Sequence, residues 1–106
     1  MIAVIFELTP KAEFRDAYFD IAADLRPLLK DIDGFISVER FQSLSDPDKY
    51  LSLSFWRDET AVSAWRRLEK HRSAQTKGRS DIFKTYRLRV ASVVRDYGME
   101  DRAQVP

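Results

Sequence analysis

The stretch Phe35-Ile-Ser-Val-Glu-Arg-Phe-Gln-Ser43, Leu44-Ser-Asp-Pro-Asp48, Lys49-Tyr-Leu-Ser-Leu-Ser-Phe-Trp56 decides the fold. In its last part Leu51, Leu53 and Phe55 alternate with Ser52 and Ser54. That is the period of two a strand imposes, because successive side chains leave opposite faces. Ser45-Asp-Pro-Asp48 is turn chemistry, in which short polar side chains bond to nearby backbone and proline presets φ. Phe35 to Ser43 and Lys49 to Trp56 therefore read as the two strands of a hairpin.

Upstream, Asp33-Gly34 supplies a turn, and before it Phe14, Tyr18, Ile21, Leu25, Leu28 and Ile32 recur at spacings of 4, 3, 4, 3 and 4. Such spacing draws one apolar stripe along a helix. Pro27 removes a backbone donor inside that stripe and predicts a kink or an early end. Thr9-Pro10 reads as the helix start, a hydroxyl cap followed by a proline whose missing N–H costs nothing in the first turn. Ile2 to Thr9, apolar and nearly continuous, reads as a strand covered on both faces. Downstream, Asp58 caps a second helix with Ala61 or Val62, Trp65 and Leu68 on its inner face, continuing through His71 to Lys77 before Gly78. Ile82 to Tyr97 reads as the last strand, with Tyr86, Leu88, Val90 and Val94 on one side.

The order is β-α-β-β-α-β. It predicts an α+β, ferredoxin-like domain in which right-handed crossovers set two helices on one face of a four-stranded antiparallel sheet. One domain is expected over residues 1–98, with 99–106 as a C-terminal tail. Two helices cover only one face, yet Ala3 and Ile5 are apolar at one parity while Ile2, Val4, Phe6 and Leu8 are apolar at the other. A second copy of the chain, packed sheet to sheet as a homodimer, is the economical cover.

Composition narrows the function. Eighteen Lys and Arg stand against 17 Asp and Glu, scattered in both signs, so there is no basic field for nucleic acid or an anionic membrane. No apolar run nears the roughly 20 residues of a membrane span, and Met1-Ile-Ala-Val-Ile-Phe-Glu7 lacks a signal peptide's basic start and apolar length. A cytoplasmic location is the expectation. With no Cys, thiolate metal sites, iron–sulfur clusters and a thiol nucleophile are excluded. Three glycines, at 34, 78 and 98, make no phosphate-cradling loop for a dinucleotide. An RNA-recognition version of the fold would need a basic, glycine-bearing third strand, which Tyr50-Leu-Ser-Leu-Ser-Phe-Trp56 is not.

The segments Leu53-Ser-Phe-Trp-Arg-Asp-Glu-Thr-Ala-Val-Ser-Ala-Trp65, His71-Arg-Ser-Ala-Gln-Thr-Lys-Gly-Arg79 and Phe83-Lys-Thr-Tyr-Arg-Leu-Arg-Val90 resemble the antibiotic biosynthesis monooxygenase family. The resemblance runs from Ile2 to about Tyr97 and implies a dimeric α+β barrel. It implies a monooxygenase that uses no metal or flavin and acts on a small aromatic molecule, a quinol or anthrone, in a cleft between the second helix and the sheet. Alternatives within the family are a non-catalytic dimeric ligand-binding or stress-related module and a haem-degrading enzyme. The haem-degrading members carry a first-strand Asn, a Trp on the second helix and an iron-ligating His about ten residues beyond it. Trp65 matches the Trp, but the chain contains no Asn and Gln75 stands where the ligand would be, with His71 one helical turn earlier. The quinone-tailoring members place an Asn on the third strand and a Trp at its end. Trp56 matches the Trp, and Ser52 stands at the Asn position.

Each candidate residue has a plain reading beside its functional one. Trp56 and Trp65, like Phe83 and Tyr86, are core aromatics or the walls of a substrate cleft. His71, the only imidazole, is a solvated surface group between Lys70 and Arg72 or the proton acceptor of the reaction. Arg72, with Arg79, Arg87 and Arg89, is surface charge or the cation beside an enolate oxygen. No cofactor is expected on the cofactor-free reading.

Overall fold

The computed structural model describes the backbone of residues 1–75 and 82–106 and the side chains of residues 1–69 and 82–106. Four strands and two helices follow in the expected order: β1 (Ile2–Pro10), α1 (Arg15–Leu29), β2 (Phe35–Gln42), β3 (Tyr50–Trp56), α2 (Glu59–Gln75) and β4 (Phe83–Ser92), with a short 3₁₀ turn at Ala12–Phe14. The sheet order is β2-β3-β1-β4, and the neighbouring strands pair antiparallel. This is the α+β, ferredoxin-like architecture.

Two element boundaries depart from the sequence reading, each for a physical reason. Thr9-Pro10 does not start the helix. Both residues extend β1, opposite Thr85 and Phe83 with a register shift between them, and a 3₁₀ turn intervenes before Arg15. Strand pairing outcompetes a local capping signal when a partner strand lies alongside. The helix ends at Leu29, two residues past Pro27 and short of Ile32, the early end that the proline predicts. Strand β4 stops at Ser92 instead of Tyr97, because Ser92 pairs with Ile2 and Val93 donates its N–H to the Met1 carbonyl.

The hairpin turn is built as its residues demand. The Ser43 hydroxyl accepts from the Asp46 amide and the Asp46 carboxylate from the Asp48 amide, both at 3.1 Å. Asp58 caps α2 by accepting the Ala61 amide at 2.9 Å. Gly34 adopts φ +93°, and a Cβ there would lie 2.8 Å from the Ala61 Cβ, so both the turn and the helix contact require glycine.

Two buried clusters hold the helices to the sheet. One gathers Val4, Leu29, Trp56, Ala61 and Val62; the other gathers Leu8, Tyr18, Tyr50 and Ile82. They sit toward opposite ends of β1 and of α1. Residues of β1 and β3 at even positions face the helices, which leaves Ile5, Leu51, Leu53 and Phe55, all half-buried, on the face no helix covers among the described residues.

Candidate functional site

The site arises from what lies between the two clusters. Along the helix-facing side of β3 the residues run Tyr50, Ser52, Ser54, Trp56: large, small, small, large. The two serines cannot reach the helices, and the aromatics at either end hold the layers apart. A cavity of about 1100 Å³ results, floored by Val4, Phe6, Ser52 and Ser54 and roofed by Tyr18, Ile21 and Leu25 of α1 with Trp65 of α2. This cavity lies beneath both helices, not beneath the second alone.

Strand register arranges the floor in rows. One row runs Arg40, Ser52, Phe6, Leu88 from β2 to β4; the next runs Val38, Ser54, Val4, Val90. The β2 end of the first row is polar. The Arg40 Nε–H donates to the Tyr18 hydroxyl at 3.4 Å, a long bond between two half-exposed or buried groups. The β4 end is aromatic: Phe6 meets Phe83 and Tyr86 edge-on, each at 5.7 Å between centroids. At the far wall Trp56 is fully buried, donates its indole N–H to the Ser54 hydroxyl at 2.9 Å, and lies 5.6 Å from the half-buried Trp65 ring.

Of the residues singled out in the sequence, Trp56, Trp65, Phe83 and Tyr86 all line this cavity. Tyr86 is not core: it is 62% exposed, because β4 is an edge strand that the helices do not reach across. His71 and Arg72 lie outside the residues whose side chains are described, as does Arg79. Arg89 is not a cleft residue. It donates to Glu7 at 2.7 Å on the opposite face of the sheet, where Lys49 also lies 3.7 Å from Glu7. Those two cations hold the Glu7 carboxyl below its ordinary value, the bond from Arg89 most of all. Arg87 borders the cavity at the exposed edge. Sequence reasoning missed Arg40, Tyr18 and Phe6 as cavity residues. Their signal was the parity of β2 and β1 once Ser52 and Ser54 are taken as the inner side of β3.

A smaller hollow of about 290 Å³ opens between α1 and β2, lined by Phe19, Ala23, Arg26, Pro27, Lys30 and, shared with the main cavity, Ala22 and Arg40. Among the described residues no cluster of three His, Cys, Asp or Glu stands ready for a metal ion. No described helix is long and apolar enough to cross a membrane.

A ferredoxin-like α+β domain with a ligand-sized, aromatic-walled cavity between its sheet and both helices is the class that fold and site define. The chain belongs to the antibiotic biosynthesis monooxygenase family, whose sequence profile matches residues 1–77. It is similar to a Pyricularia oryzae protein named jasmonate monooxygenase ABM, 50% identical over 93 residues. That alignment takes in 88% of this chain but only 43% of the relative, so the chain spans less than half of the relative's length. Among solved structures, Rv0793 from Mycobacterium tuberculosis superposes with a TM-score of 0.77 at 14% identity, covering 92% of this chain and 98% of that one. A MhuD variant with two manganese protoporphyrin IX molecules per active site superposes at 0.71 and 17% identity, covering 92% and 99%. At those identities the structures speak for the fold.

Proposed function

We propose that the chain is a monooxygenase that needs no metal or flavin and oxidises a small, largely apolar cyclic molecule, an anthrone or quinol in the first instance, within the cavity under α1 and α2. The observation that carries this reading is the aromatic enclosure formed by Trp56, Trp65, Phe6 and Phe83 in a chain of this family. Removal of a proton from an anthrone methylene leaves an anion spread onto the ring oxygen. That anion donates its electrons to O₂, one oxygen atom stays on the carbon as a carbonyl, and the other leaves as water with the two lost hydrogens. The substrate supplies the electrons, so the protein need only exclude water, hold the ring and accept the proton. His71 is assigned that proton, Arg72 a place beside the oxyanion, and Trp56, Trp65, Phe83 and Tyr86 the substrate ring. The working unit on this reading is a homodimer joined through the uncovered sheet face.

Oxygen uptake with anthrones, quinols and jasmonate tests it. Wild-type turnover well above that of a His71→Ala, Trp65→Ala double variant is the expected result, and equal rates overturn it. Binding of an aromatic ligand without turnover instead identifies a binding module, the reading favoured by Ser52 at the position where quinone-tailoring members carry Asn. Haemin titration covers the third chemistry. A Soret band that shifts on binding and disappears in His71→Ala assigns the chain to haem.

A further inference from the structure

We propose that Arg40 is a specificity-determining residue and that the natural ligand carries a carboxylate, held by Arg40 and Tyr18 at the β2 end of the cavity while its apolar body lies toward β4. This rests on the cavity being the substrate site and goes further, naming the chemical class that enters it.

The floor of the cavity is polar at its β2 end and apolar toward β4, with Arg87 at the exposed edge. The floor row Arg40, Ser52, Phe6, Leu88 passes from a guanidinium through a hydroxyl to a phenyl ring and an aliphatic chain. Arg40 is half-buried, yet its hydrogen bond among the described residues goes to the neutral Tyr18 hydroxyl, and no carboxylate pairs with it there. Other described arginines near acids are taken up: Arg57 by Asp33 and Asp58, Arg89 by Glu7. A guanidinium presents five donors in a planar fork that matches a carboxylate bidentately. One long bond from Nε leaves the terminal nitrogens free for an anion.

The approach to this end carries the same sign. Arg40 lines both the main cavity and the hollow between α1 and β2, where Arg26 and Lys30 stand and no acid contributes to the lining. Within the main cavity the lining acid is Glu69, on α2 and itself engaged by another group. An anionic head therefore meets Arg40, Arg26 and Lys30 together at the β2 mouth, whereas at the β4 edge Arg87 stands beside Phe83, Tyr86 and Leu88, which favours the β2 end for the head and the β4 end for the apolar body.

Both tryptophans of the chain line the cavity, so their fluorescence reports occupancy. The test compares 2-naphthoate with 2-naphthamide, ligands of one shape that differ in charge, on wild type, Arg40→Gln, Arg40→Met and Arg87→Gln, with circular dichroism confirming that each variant is folded. Wild type should bind the acid at least tenfold more tightly than the amide. In Arg40→Gln and Arg40→Met that ratio should fall to about one with amide affinity within twofold of wild type, and in Arg87→Gln it should persist. A ratio near one in wild type, or a preference that survives loss of Arg40 or follows Arg87 instead, overturns the assignment while leaving the cavity as the binding site. Failure of both ligands to bind folded wild type removes both the assignment and the reading of the cavity on which it rests.

Discussion

Two buried hydroxyls on one side of β3 make opposite demands. The Ser54 oxygen accepts the indole N–H of fully buried Trp56 at 2.9 Å. Ser54→Ala leaves that donor unpaired away from water and should cost about 1–3 kcal/mol. Trp56→Ala removes the whole ring from a cluster with Phe35 and Trp65 and should cost about 3–5 kcal/mol. Tyr50, at the other end of the strand, has a buried hydroxyl with no partner among the described residues. Its ring is well used, edge-on to Phe19 at 5.0 Å with the Arg15 guanidinium over it. Tyr50→Phe keeps the ring and removes the orphan oxygen, so it should leave stability unchanged or raise it by about 1 kcal/mol. Urea denaturation of the three variants gives the order: Tyr50→Phe at or above wild type, then Ser54→Ala, then Trp56→Ala. A Tyr50→Phe protein weaker than wild type by more than about 1 kcal/mol would mean that the hydroxyl has a partner after all.

The junction between β2, the Gly34 turn and α2 is tied by charge. Arg57 donates to Asp33 through both terminal nitrogens at 3.1 Å and to Asp58 through Nε, while its backbone N–H donates to the Gly34 carbonyl. Asp33 is held below its ordinary value chiefly by the bonds from Arg57, and Asp58 by the Ala61 amide first and Arg57 second. A carboxylate whose folded value lies below its unfolded one contributes stability that is complete above the unfolded value, about 4, and is lost as the pH falls through the folded value. The midpoint of unfolding should therefore be flat between about pH 7 and 5 and fall below about pH 4. Asp58→Asn keeps an oxygen for the Ala61 amide but does not titrate, so its acid limb should be shallower; an identical limb would place the titration elsewhere. These groups are exposed, and added salt should shrink the difference. Gly34→Ala, at positive φ against Ala61, should destabilise by at least about 1 kcal/mol in the same assay. The turn at Asp33-Gly34 and the cap at Asp58 were legible in the sequence, because each is a local signal, whereas the ties from Arg57 to Asp33 and Gly34, more than twenty residues away, were not. The start of α1 was not: Thr9-Pro10 carries a helix signal that loses to pairing with β4, a partner more than seventy residues distant. The cavity was half legible. Trp56, Trp65 and Phe83 announce themselves by size and position, whereas Arg40 and Ser52 become visible only when the inward face of β3 is known. A period of two reports that the faces differ and is silent on which one the helices take.

At the scale of the molecule, that choice of face is the argument for a partner. Strand β3 turns its serines toward the helices and its Leu51, Leu53 and Phe55 away from them, and beside Leu53 in the register lies Ile5 of β1. That apolar face is the one the proposed homodimer would cover. Phe41, 43% exposed opposite Leu51, extends the patch onto β2, while Glu7 with Arg89 and Lys49 supplies a charged border. If a second copy buries even about 600 Å² of apolar surface per subunit, the gain is about 15 kcal/mol at about 25 cal/mol per Å² before the costs of association and ordering. That is comparable to the net stability of a whole small domain. Folding and dimerisation should then be one transition, with an unfolding midpoint that rises with protein concentration. Ile5→Lys places an ammonium in the centre of the patch with no carboxylate directly opposite it, since Leu53 and Arg89 are its register neighbours. The variant should be insoluble or unfolded. Sedimentation velocity on wild type decides the matter: a dimer at micromolar concentration is expected. A stable, folded monomer there, or an Ile5→Lys protein as stable as wild type, would show that the apolar side of β3 faces water and that the domain stands alone.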